Sequence, residues 1–213
     1  MINATSPALT NQQRQLSAIL CKNSIQTAIG NIDAADIAEI KALTLGLIQD
    51  EVEQISQSGC AVAAALIGAQ GLGAWPEVVS EADAMTSSVG RFSLVRAGFN
   101  LFSLLALEHI DDLCYDAEHR NHVTHIVSAM AVNLAIKDHA ASKYICDAFV
   151  AIHNTDFDRV EEFLPSMLEV WGTLCLYWCA ASFLTLIRRS MDLSTAMIGC
   201  KQSPVPCSRP CLS

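Results

Sequence analysis

The residue types best suited to chemistry crowd into one stretch, Glu108 to His125. It carries four of the chain's six histidines and five of its carboxylates. Wound as one continuous helix, Glu108, Asp111, Asp112, Tyr115, Glu118, His119, His122 and His125 fall within an arc of roughly 140°. Ile110, Leu113, Cys114 and Ala117 take the other side. Imidazole and carboxylate together suit Zn, Fe or Mn, whereas carboxylates alone suit Mg. Asp112, Asp116, His119 and His122 are the candidate ligands, and Mg or a transition ion is the cofactor they would hold. A plainer reading needs no cofactor at all: an amphipathic helix requires a wet face, and these residues fill one.

The known metal signatures are absent. Glu108 and Glu118 lack a histidine three residues on, and only Asp116 and His119 have that spacing. There is no H-E-x-x-H, no G-x-S-x-G and no phosphate-cradling glycine loop. Nine cysteines are scattered without a C-x-x-C. Most sit in apolar helical segments, where a thiol packs as a small hydrophobe. The expected compartment is therefore the reducing cytoplasm.

Within this segment, Asp111-Asp112-Leu113-Cys114-Tyr115-Asp116 resembles the aspartate-rich D-D-x-x-x-D motif of class I prenyl-chain enzymes (terpene synthases and prenyl diphosphate synthases). The resemblance implies carboxylates holding Mg2+ against a diphosphate leaving group. It covers six residues, and Asn154 to Glu162 is acidic but not spaced as that family's second metal motif.

The elements that must position these residues read as helices throughout. Thr10 and Gln13 have capping-box spacing ahead of Leu16, Ile19, Leu20 and Ile25, and Gly30 is a natural stop. Asp33 is the expected cap of the next helix. Its stripe of Ile37, Ile40, Leu43, Leu47, Ile48, Val52 and Ile55 runs unbroken to Ser58 and Gly59. Cys60 to Leu72 reads as a short buried helix. Glu77, Glu81 and Asp83 mark the wet side of another that begins at Pro76. Phe92 to Leu107 leads into the acid-and-imidazole stretch, with a break expected near Asp116. A helix from Ala140 to His153 follows, and Asn154–Thr155 caps one more, interrupted at Pro165.

Val170 to Ile187 is an uncharged run ending at Arg188 and Arg189. It reads as an apolar central helix, with a membrane span as the alternative because about 20 apolar residues suffice to cross. The last residues, Cys200 to Ser213, hold three prolines, three serines and three cysteines and read as a flexible tail. The expected fold is an all-α, single-domain bundle of about seven to nine helices over 1–199, with the tail at 200–213.

Composition narrows the function. Of 213 residues, 52% are hydrophobic and only 16% charged, against roughly 25% charged in an average domain. Disorder over the body is excluded. The net charge of −9 excludes a general nucleic-acid binder, which needs a basic face. Met1 to Asn11 is polar and reads as no secretory signal. The surplus of apolar residues and the missing catalytic motifs favour a non-enzymatic helical protein. It would act through a protein partner, a second copy of itself or an apolar small molecule in a pocket. A divalent-metal-dependent enzyme and a membrane-associated protein held through Val170–Ile187 are the alternatives.

Overall fold

The computed structural model describes residues 2–135, 139–153 and 165–173. Among these the chain is all-helical and contains no strand. The expected all-α bundle is thus the observed one. The Asn154–Thr155 cap, the Val170–Ile187 run beyond residue 173 and the Cys200–Ser213 tail lie outside the described residues. None of the described helices is long and apolar enough to cross a membrane. Met1–Trp171 forms one compact unit.

The first elements are α1 (Ile2–Thr5) and α2 (Asn11–Ala28). The capping box forms as its spacing predicts. Gln13 N–H donates to Thr10 Oγ1 at 3.3 Å, and Thr10 N–H donates to Gln13 Oε1 at 3.0 Å. Arg14 ties this end of α2 down by donating to the Ala4 carbonyl and pairing with Asp50. The α-helix stops at Ala28, and Gly30 falls in a following 3-10 turn.

The continuous helix expected from 34 to 58 is in fact two. α3 (Ala34–Ile48) and α4 (Glu53–Gln70) are joined by residues 49–52. The apolar stripe runs across the joint because both helices bury it, so periodicity alone hides the break. Asp50 makes the turn: its Oδ1 accepts from Val52 N–H at 2.9 Å while Oδ2 faces Arg14. Its side chain is only 16% exposed. The two helices then close tightly. A Cβ at Gly59 would lie 2.7 Å from the Ile48 nitrogen, so only glycine permits this approach. Ser56 Oγ donates to the Ile48 carbonyl at 2.7 Å beside it.

Gly71, with φ +82°, ends α4. α5 (Glu77–Thr86) follows Pro76, and Gly90 at φ +79° turns the chain into α6 (Phe92–Tyr115). α6 is the hub of the described bundle and packs against α4, α5, α7 (Ala117–Ala135) and α8 (His139–His153). Phe99, Leu101, Phe102, Leu105 and Ala106 are fully buried there. At 25 cal/mol per Å2 or so, each of the phenylalanine and leucine side chains contributes roughly 1.5–3 kcal/mol. α5 lies against α6 closely enough that a Cβ at Gly98 would meet the Thr86 nitrogen at 2.8 Å. This contact fixes α5, and with it Asp83.

Candidate functional site

The acid-and-imidazole stretch is not one arc. α6 bends at His109, where φ is −132° and ψ is 23°, and it ends at Tyr115. Asp116 is extended, with φ −79° and ψ 129°, and α7 starts after it. The break expected near Asp116 is therefore present, and the continuous helix behind the shared arc is not. The cause is local. Asp116 Oδ1 accepts from the Glu118 N–H at 2.7 Å and the His119 N–H at 3.4 Å, so its carboxylate caps α7. Those two backbone bonds hold its carboxyl below the usual carboxylate range, with the nearby His119 and Arg120 helping.

The other candidates scatter. Asp112 has a side chain 67% exposed and lies 3.6 Å from His109 Nδ1, on the bent end of α6. His119 points into the core, 8% exposed, and its Nδ1 is buried without a partner among the described residues. His122 faces α5. Its Nδ1 lies 2.7 Å from Asp83 Oδ2, and His125 Nδ1 reaches the same oxygen at 3.2 Å. Of the four residues singled out by sequence, only His122 joins a group whose donor atoms converge. That group is Asp83, His122 and His125, with one donor atom from each mutually within 4.8 Å. Asp111, Asp112 and Asp116 do not come together as a ligand group among the described residues, because the last is committed to the cap of α7.

Asp83 was expected on the wet side of α5. It is instead 9% exposed as a residue and turned toward α7. A signal existed in the sequence. Val78, Val79, Ala82 and Met85 line the buried face of α5. At about 100° per residue Asp83 falls at the border of that face rather than opposite it.

An open trough lies elsewhere among the described residues. It measures about 450 Å3 and runs between α2 and α6. Its floor is the small-residue side of α4: Ala61, Ala64, Ala65, Gly68 and Ala69. Lys22 and Gln26 stand on one wall, and Leu104 and Glu108 on the other. The Glu108 carboxylate folds over the floor, 3.4 Å from where a Gly68 Cβ would stand. α2 also turns Leu16, Ile19 and Leu20 outward, 56%, 42% and 57% exposed. Its inward residues are Ala18 and Ile25. A second cavity, near Gln57, Asn100 and Tyr144, measures about 40 Å3 and has room for water rather than an organic ligand.

Comparison of the chain with protein-family profiles, with curated proteins and with solved structures finds no match.

Proposed function

We propose that the protein is a non-enzymatic helical binding protein that takes an amphipathic helix of a protein partner along α2 and the neighbouring trough. The observation that carries this reading is the outward stripe of Leu16, Ile19 and Leu20 on α2, the helix whose Lys22 and Gln26 wall a trough floored by alanine and glycine. Small residues let a second backbone approach closely, and an apolar stripe at helical spacing is what a helix-in-groove contact uses. Lys22 and Glu108 on opposite walls would set the direction of the bound helix. The chain's net charge of −9 favours a partner with basic flanks.

Magnitudes require stripe and trough to act together. Covering the exposed halves of three leucine or isoleucine side chains yields roughly 2–4 kcal/mol. Micromolar affinity needs about 8 kcal/mol before the cost of ordering is counted. An apolar small molecule is the second reading, because the trough's volume falls within the range of roughly 300–1,000 Å3 typical of ligand pockets.

Native size-exclusion of lysate from the protein's own cells tests the proposal. The wild type is expected in a complex heavier than its 23.0 kDa monomer. The Leu16→Ser, Ile19→Ser, Leu20→Ser triple variant and the trough-filling Ala69→Trp, at an exposed floor position, are expected to run as monomers with unchanged helicity. Release by Ala69→Trp alone, from a species of monomer size, supports the small-molecule reading instead. A wild type that is monomeric in lysate and carries no ligand contradicts both.

A further inference from the structure

We propose that Asp83, His122 and His125 form a binding site for a first-row transition-metal dication, zinc above all, which braces α5 against α7. The site is separate from the α2 trough and does not rest on the function proposed for it. Two imidazoles and one carboxylate are a donor set of intermediate softness, suited to Zn, Co or Ni. Mg and Ca call instead for six or more oxygens.

The geometry is close to what such an ion requires. A tetrahedral ion with ligand bonds of about 2.0–2.2 Å sets its donors roughly 3.4 Å apart. Here His122 Nδ1 and His125 Nδ1 stand 2.7 Å and 3.2 Å from one Asp83 oxygen. One donor atom from each of the three residues lies within 4.8 Å of the others. Opening the 2.7 Å contact to that spacing takes about 0.7 Å, and donors as far apart as 4.8 Å close by up to about 1.4 Å, movements that rotation of the His122 and His125 side chains supplies. His122 and His125 are three residues apart on α7, so their rings share one face of the helix. Asp83 is delivered by α5, whose distance from α6 is fixed by the close approach at Gly98.

Exposure grades across the site. The Asp83 side chain is 12% exposed, His122 26% and His125 68%. The carboxylate is therefore held on the inner side and the outermost imidazole faces solvent, which provides an entry path. Three protein ligands leave a fourth position for water on that outer side. Imidazoles donating to a carboxylate would account for each contact singly. What a metal adds is a reason for both rings to converge on one oxygen, and that difference is measurable.

The test uses the full chain stripped with EDTA and then desalted. Isothermal titration with zinc sulfate is expected to show one equivalent bound. Cobalt chloride is expected to give the visible absorption of a tetrahedral nitrogen–oxygen site, without thiolate charge transfer. Saturating zinc is expected to raise the unfolding temperature by about 5–10 °C, the shift that an excess near 100 Kd produces in a chain of this length. His125→Ala, at the most exposed ligand, should leave the fold intact and weaken zinc at least 10-fold, and Asp83→Asn should do likewise. Asp112→Asn should leave affinity unchanged. No heat and no thermal shift with zinc, cobalt or nickel would overturn the proposal. So would zinc binding that survives the His122→Ala, His125→Ala double variant, which would assign the metal to cysteine.

Discussion

Replacing Gly98 by alanine should destabilise the protein, although alanine is the better helix former. In the middle of α6 the exchange gains about 0.8–1 kcal/mol of helix propensity. Against that, the new Cβ would lie 2.8 Å from the Thr86 nitrogen, 2.9 Å from Met85 Cβ and 2.9 Å from Thr86 Cγ2. Relaxed carbon contacts lie at about 3.5–4.0 Å, so the end of α5 must retreat by roughly 0.7–1 Å. Two of the three atoms are backbone or Cβ and cannot swing aside. Overpacking of this kind costs typically 1–3 kcal/mol, and the upper part of that range applies. The net loss is about 1–2 kcal/mol, or a fall in Tm of roughly 2–8 °C for a chain of this size. Gly46→Ala supplies the control. Gly46 is helical in α3, and nothing lies within 4 Å of its Cβ position. The same chemical change there should raise stability by about 0.5–1 kcal/mol. Thermal and urea melts followed by circular dichroism measure both. If Gly98→Ala proves as stabilising as Gly46→Ala, α5 and α6 do not approach as described, and the placement of Asp83 falls with them.

Further outcomes follow from the cap of α7 and from the buried thiol. Asp116→Ala should lower Tm, while Asp116→Ser, which keeps an acceptor, should recover most of the loss. The carboxyl of Asp116 is held below its unfolded value of about 3.9, so the stability it contributes is present at neutral pH. That contribution is lost as pH falls through the lowered folded value; the acid limb of a Tm-against-pH curve should be flatter in the alanine variant. Cys60 is fully buried, and burial pushes its thiol up to about 12. It should stay unalkylated by iodoacetamide at pH 8 in the native protein and label only at the rate of unfolding, followed by mass spectrometry of its peptide.

What could be read from sequence was what short-range chemistry decides. The Thr10–Gln13 box, the helical class and the interruption near Asp116 each depend on residues within a turn or two of one another. The missed features depend on distant partners. The joint between α3 and α4 is hidden because Val52 and Ile55 continue the spacing of Leu47 and Ile48. It is made visible by Asp50, whose second partner, Arg14, lies 36 residues away. Asp83 departs from the wet face normal for a carboxylate on a short helix, and its imidazole partners stand 39 and 42 residues further along. The arc drawn through Asp112, His119 and His122 assumed helical phase across Asp116. A single extended residue resets that phase, sending His119 inward and His122 toward α5.

The most direct measurement for the proposed binding role is site-specific photo-crosslinking in the protein's own cells, with benzoylphenylalanine at Leu20 on α2 or at Glu39 on α3. Both positions are exposed. The account predicts a discrete adduct from Leu20, joined through a helical, basic-flanked segment of a partner, and none from Glu39. Equal yields from the two positions, or no adduct from either, would contradict it.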